Sequence, residues 1–144
     1  MNREILFRAK CSGVWRYGSY VHFDKKPIND CFNNKYKDFI VTNGVYGEHY
    51  YPITELSSIG QYTGVKDKKR KRIFEGDIVG NNGFVHLVKY VGVFAGFFTV
   101  CRELRGSFGY FEQKWIDYCD IVVVGNVTDN PELLSKAYEK EDNP

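Results

Sequence analysis

No stretch of these 144 residues approaches the roughly 18 consecutive apolar residues that a membrane-spanning helix needs. No apolar run opens the chain either. Arg3, Glu4, Arg8 and Lys10 interrupt the region where a secretory leader would carry its hydrophobic core. The four cysteines, Cys11, Cys31, Cys101 and Cys119, include no Cys-x-x-Cys pair, which removes the zinc-knuckle and thioredoxin-type patterns. The histidines at 22, 49 and 86 form neither His-x-His, His-x-x-x-His nor His-Glu-x-x-His, so metal ligation has no support in the sequence. Gly60-x-x-x-Gly64 and Gly92-x-x-x-Gly96 do not lead into a helix carrying Lys and Ser or Thr, as a phosphate loop would. These absences lead us to expect a cytoplasmic protein with reduced thiols, no membrane partner, no cofactor and no metal. Two disulfides are the alternative to reduced thiols. No catalytic constellation is visible, although a Cys–His pair that meets only in space stays open.

What is abundant is aromatic. Eleven Tyr, eleven Phe and two Trp make up 17% of the chain and suit pleated, half-buried strands, while fourteen Gly supply turns. Residues 4–9 read as a strand with Ile5, Phe7 and Ala9 on one face. Cys11-Ser12-Gly13 reads as a turn and Val14 to Phe23 as the returning strand, with a break or bulge at Gly18-Ser19. Residues 24–36 are a polar surface loop. Phe39 to Thr42 is a short strand ended by an Asn43-Gly44 turn, and Thr54-Glu55 has the pattern of a helical turn. Ile59–Thr63, Arg72–Val79 (interrupted at Glu75-Gly76-Asp77), Phe84–Tyr90, Phe108–Phe111 and Cys119–Val127 read as strands. Phe84, His86, Val88 and Tyr90 alternate on one face, and Gly92 and Gly96 predict strong curvature within Val91–Val100. Asn130-Pro131-Glu132 opens a helix expected to run to Lys140, with Asn as cap, Pro in the first turn and Glu against the dipole. Many short strands with Gly-rich turns argue for a small barrel or sandwich. We expect an N-terminal β-subdomain over 1–58 and a barrel with a C-terminal helix over 59–144, as one cooperative unit.

Net charge is +2, but residues 1–72 hold 14 Lys/Arg against 7 Asp/Glu and residues 73–144 hold 6 against 11. Such asymmetry fits a polyanion-binding face or head-to-tail self-association, unless linear halves are not spatial halves, which is the plainer account.

Several blocks resemble one family. Asn2-Arg3-Glu4-Ile5-Leu6-Phe7-Arg8-Ala9, Gly60-Gln61-Tyr62-Thr63-Gly64 followed by Asp67-Lys68, Ile73-Phe74-Glu75-Gly76-Asp77-Ile78-Val79, and Gly125-Asn126-Val127 through Asn130-Pro131-Glu132-Leu133-Leu134 occur in the order found in the YopX family of bacteriophage and prophage proteins. The resemblance implies a phage or prophage origin in a Gram-positive host and an SH3-like barrel core with additions. It implies no defined activity and no catalytic residues. Many members have an Asn-Gly-type turn between the Asp-Lys pair and the Glu-Gly-Asp block, where this chain has Lys69-Arg70-Lys71-Arg72.

The candidate site is that basic tip: Lys66, Lys68, Lys69, Arg70, Lys71 and Arg72 against one acid, Asp67. Clustered cations bind phosphates by releasing counterions, and Tyr62 and Phe74, if exposed, would stack on bases. A solubilising turn is the plainer account, and a domain dedicated to nucleic acid is usually more basic overall. Glu75 and Asp77 would share a face in an unbroken strand, but Gly76 suggests a bend in which the Asp bonds backbone. His86 and Cys119 read as core residues. Trp15, Tyr17, Tyr20 and Phe23 read as hairpin packing, with some ring surface left for an interface. The sequence therefore points to a binding protein whose partner is another protein or a second copy of itself. Nucleic-acid binding through the tip is the alternative, and an enzyme comes third.

Overall fold

Ser12 and Gly13 both adopt left-handed backbone angles, φ 51° and 79°. Two consecutive positive φ values are what a tight two-residue hairpin turn needs to match strand twist. The turn sets Cys11 opposite Val14. The computed structural model describes residues 4–24, 35–81, 84–100, 108–110 and 112–134, and the chain divides into two units, Met1–Gln61 and Tyr62–Pro144.

The first unit is an antiparallel sheet. β1 (Phe7–Cys11) pairs with β2 (Val14–His22), β2 with β3 (Asp38–Gly44), and β3 with β4 (Gly47–Pro52), while the first part of β5 (Glu55–Lys66) lies on the other side of β1. β2 passes from β1 to β3 at Gly18, whose missing side chain admits the Val41 carbonyl, so the expected break is a handover between partners. Ala9, Cys11, Ile40 and Ile53 form the buried core, packed by Phe7, Tyr20, Tyr51 and Ile59. Arg8 and Lys10, opposite Tyr17 and Trp15, occupy the other face; the Arg8 guanidinium lies 4.7 Å from the Trp15 ring and Lys10 Nζ 5.7 Å.

Three expectations fail in this unit or fall outside it. Asn43-Gly44 is not the turn: both remain in β3, the reversal is Val45-Tyr46, and Gly47 takes φ 113°. Thr54-Glu55 starts no helix. Thr54 N and Oγ1 both donate to the Lys10 carbonyl (3.1 and 3.2 Å), a corner that feeds Glu55 into β5. The polar loop expected over 24–36 lies largely outside the described residues.

In the second unit the end of β5 pairs with β6 (Arg72–Phe74), Tyr62 opposite Phe74 and Lys66 opposite Arg72. Between those pairs the strand bulges at Gly64, φ 88°, where Thr63 Oγ1 donates to the Ile73 carbonyl at 2.7 Å. β7 (Asp77–Asn81), β8 (Phe84–Val91), β9 (Gly96–Val100) and β10 (Phe108–Tyr110) form an antiparallel meander, and β11 (Val122–Asn126) returns beside β7, leaving β10 and β11 as the two edges. Gly92–Phe94 is a 3-10 turn closed by Ala95 at φ 50°, so the Val91–Val100 stretch reverses direction instead of curving. Between β10 and β11 lies α1 (Gln113–Tyr118), where no helix is expected from the sequence. It has no side-chain cap and is held by burial: Ile116 joins Ile73, Val79, Val88 and Ile121 in the core, flanked by Trp115 and Cys119. His86 meets Trp115 edge-on at 6.2 Å. The expected C-terminal helix begins, with helical residues at 132–134, and the remainder to Lys140 lies outside the described residues. The Asn130 side chain accepts from Asn126 N (3.2 Å) and so closes the turn before the helix.

The mostly β class is as expected. Among the described residues no helix is long and apolar enough to cross a membrane.

Candidate functional site

The basic segment joins β5 to β6, and its one acid is the key to its shape. Asp67 is only 1% exposed. Its carbonyl accepts Arg70 N (2.9 Å), its amide donates to the Lys71 carbonyl (2.8 Å), and its Oδ1 accepts Lys71 N (2.8 Å). Its Oδ2 accepts Val123 N at 3.0 Å, and Lys68 N donates to the Ile121 carbonyl at 2.9 Å. One buried carboxylate therefore closes the loop on itself and latches it to β11. A charged acceptor holding two backbone amides out of water makes a strong restraint. α1 adds a second latch: the Gln113 amide accepts from Lys66 N (3.0 Å) and donates to the Lys66 carbonyl (2.7 Å). The expected projecting tip is thus a docked loop whose backbone is held at both ends.

All six cationic side chains of this loop stay exposed. Lys68 Nζ lies 3.0 Å from Asp120 Oδ1 and 3.3 Å from the Asp117 carbonyl. The Arg72 guanidinium lies 5.8 Å from the Tyr62 ring. Lys66, Lys69, Arg70 and Lys71 have no ion pair among the described residues. Arg70 sits at φ 67°, a left-handed conformation that suits Gly or Asn and costs another residue roughly 1 kcal/mol. This is the stretch where the family resemblance leads one to expect an Asn-Gly-type turn. Base stacking by the flanking strands is excluded, because Tyr62 and Phe74 are only 5% and 3% exposed and pack on each other at 5.7 Å.

Glu75 and Asp77 prove to be turn residues. Gly76 adopts φ 89°, donates to the Val88 carbonyl (2.9 Å) and accepts from Val127 N (2.8 Å). Asp77 is buried and its Oδ2 accepts Phe74 N at 2.8 Å. Burial pushes the half-buried Glu75 carboxyl up, against the opposing pull of Lys89. Burial also raises the Cys11 thiol more than Arg16 lowers it, and Cys11 Sγ faces the carbonyls of Ala9 (3.9 Å) and Tyr51 (3.7 Å), so a thiolate is disfavoured. Cys31 and Cys101 lie outside the described residues. Among the described residues no three His, Cys, Asp or Glu side chains are grouped to hold a metal ion.

Two features were not read from the sequence. One is the far end of the β3–β4 hairpin: residues 43–50 are exposed on both faces, and Val45 and Tyr46 at its tip are 95% and 96% exposed. The other is a polar cluster at the root of β2, where Asp38 Oδ1 accepts Tyr20 Oη at 2.6 Å and lies 2.7 Å from His22 Nδ1. Burial works against the Asp38 carboxylate, but the hydrogen bonds from Tyr20 and His22, with the charges of His22 and Lys37, outweigh it and hold it below its usual range. The same bond, with some burial, pushes the Tyr20 phenol up to about 12.

A family model described as YopX protein matches residues 6–135. The chain belongs to the YopX family. The crystal structure of protein EF1440 from Enterococcus faecalis is similar in fold: 23% identity, a TM-score of 0.54, and coverage of 92% of this chain and 99% of that one. No curated protein matches the chain. In this YopX chain the recognisable blocks prove to be scaffold. Gly60, Tyr62, Asp67, Ile73, Phe74, Asp77, Ile78 and Val79 are buried, Gly64 and Gly76 take positive φ, and a side chain at Gly125 would run into Asn130. The β3–β4 tip lies between these YopX blocks, and the basic loop carries five exposed cations beyond the Asp67-Lys68 pair.

Proposed function

We propose that this chain is a phage or prophage accessory protein that acts in the host cytoplasm by binding a protein partner, with no catalysis of its own. The observation that carries this reading is the β3–β4 ribbon, eight consecutive exposed residues with Val45 and Tyr46 almost wholly in water at its tip. Large apolar side chains held in solvent on a paired, rigid hairpin gain free energy only when covered, and Tyr is a favoured anchor at interfaces. β4 is also the edge of its sheet, with backbone groups that another strand can pair. A second copy of this chain is one such partner.

The test is affinity purification of the tagged chain from infected cells after nuclease treatment, beside a Val45→Ser, Tyr46→Ser variant. A phage or host protein, or untagged copies of the same chain, should be retained by the parent and lost by the variant. Equal recovery on both would defeat the reading.

A second reading is favoured by a separate observation, the six exposed cations on a latched loop. Like charges repel and a hairpin has no folding need for six of them, so their concentration on a fixed backbone supports binding of nucleic acid there.

A further inference from the structure

We infer that the basic loop is a reader of phosphate backbone on double-stranded nucleic acid, indifferent to base sequence, and that Asp67 is the positioning residue that makes it so. The inference rests on the second reading above and names its ligand class.

Sequence-tolerant grip on a single strand comes from aromatic faces on which bases stack, combined with cations that follow the backbone. Here the two rings of the flanking strands, Tyr62 and Phe74, are buried against each other. Tyr118 exposes its ring, and it follows Asp117 in a segment that engages Lys68 through the Asp117 carbonyl and the Asp120 carboxylate. The carboxylates of Asp117 and Asp120 lie within two residues of that ring in the chain and disfavour a phosphate beside it. What remains for a ligand is charge alone, and charge alone favours the polymer of higher charge density. A duplex carries one negative charge per ~1.7 Å of axis and a condensed counterion layer to release.

A duplex holds its phosphates at fixed spacing, so a fixed set of cations engages several at once. The loop backbone is fixed by Asp67 through Lys71 N and Val123 N, and by Gln113 through Lys66. With Lys68 engaged by Asp120, the cations Lys66, Lys69, Arg70 and Lys71 are offered together. Four phosphate contacts give a slope of about −3.6 in log K against log salt for a duplex, and about −2.8 for a single strand.

The experiment is fluorescence anisotropy with the full-length protein. The probes are a mixed-sequence duplex of ~20 base pairs, a second duplex of unrelated sequence, and one strand alone, between ~50 and ~200 mM salt. Expected are equal affinities for the two duplexes, weaker binding of the single strand, and a duplex slope between about −3 and −4. Replacing Lys66, Lys69 and Lys71 with Ser should weaken duplex binding at least tenfold at ~50 mM salt. Asp67→Ala is the sharper variant. It removes a negative charge, so counting charges predicts tighter binding, whereas an unlatched loop predicts weaker binding and a shallower slope. Asp67→Asn keeps one acceptor and should restore part of both. Should Asp67→Ala fail to fold, Gln113→Ala loosens the other latch and should act in the same direction. Absence of any binding at ~50 mM salt sinks the nucleic-acid reading and this inference together. Binding that prefers the single strand or one base sequence, or that survives the triple Ser variant, or that tightens in Asp67→Ala, overturns the inference and leaves the broader reading standing.

Discussion

At the scale of single residues, the Tyr20–Asp38–His22 cluster makes stability depend on pH in a predictable direction. Asp38 is held below its usual carboxylate range in the fold. Its contribution is therefore complete above the ordinary Asp value and is lost as pH falls through the lowered folded value. Tyr20 is raised from 10.0 to about 12, so its contribution is complete below 10 and is lost as pH rises from there toward 12. Tyr20→Phe removes the hydrogen bond and keeps the ring packed on Phe7. We expect a loss of about 1.5 kcal/mol at pH 7, shrinking at both ends of the range, measured as urea midpoints near pH 3, 7 and 11. A constant difference across that range would mean that the bond does not set the titration. Arg70 offers the opposite case. Its left-handed backbone is strained for Arg, so Arg70→Gly should raise stability by up to about 1 kcal/mol while removing a cation from the loop. A melting temperature that falls would show that the side chain stabilises the loop in some other way.

At the scale of elements, close approach of backbones decides where β2 changes partner. A Cβ at Gly18 would overlap the Val41 carbonyl and press on Ile40 Cγ2 at 3.2 Å. Both neighbours belong to β3, and the nearer one is backbone, which has no rotamer to change. Gly18→Ala should cost about 1–3 kcal/mol in chemical denaturation, and a change within error would show that β3 shifts freely. Gly18 also shows how the sequence can be read. Its glycine, the Ser12-Gly13 turn and the alternation from Phe84 to Tyr90 are local signals with one local solution, and they were legible. The Asn43-Gly44 signal misled because Gly47 supplies the positive φ three residues beyond Gly44, and the β3–β4 register fixes the turn there. α1 was invisible for a different reason. Lys-Trp-Ile-Asp-Tyr is too short to display a helical period, and it has no capping side chain; Ile116 becomes helical because the core of the second unit receives it there. The six cations were legible as a cluster. The role of Asp67 was not, because its partners lie on Lys71 and on Val123, 56 residues away.

At the scale of the whole molecule, the charge asymmetry of the linear halves dissolves. Residues 1–61 hold eight Lys/Arg and six Asp/Glu, and residues 62–144 hold twelve of each, so the units carry +2 and 0. Opposite-sign halves therefore give no support to head-to-tail assembly. What distinguishes the second unit is its internal separation, +5 over residues 66–72 and −5 over the remainder. A Debye length of ~8 Å at physiological salt keeps those fields local. The boundary between the units falls inside β5, a continuous 12-residue strand whose first part pairs with β1 and whose last part pairs with β6. Unfolding either unit strips one end of that strand of its partner and lets the continuous strand fray toward the other end, so the two should unfold together. Nature has placed one tryptophan in each: Trp15 beneath Arg8 and Lys10, and Trp115 against His86. Trp15→Phe and Trp115→Phe each leave a single fluorescent reporter. Once each variant's own stability change has been measured by far-ultraviolet circular dichroism, the fluorescence and dichroism transitions should coincide in both, with one midpoint and one slope. If the Trp15 signal is lost at a denaturant concentration where the Trp115 signal persists, or the reverse, β5 acts only as a tether and the chain holds two independently folding bodies.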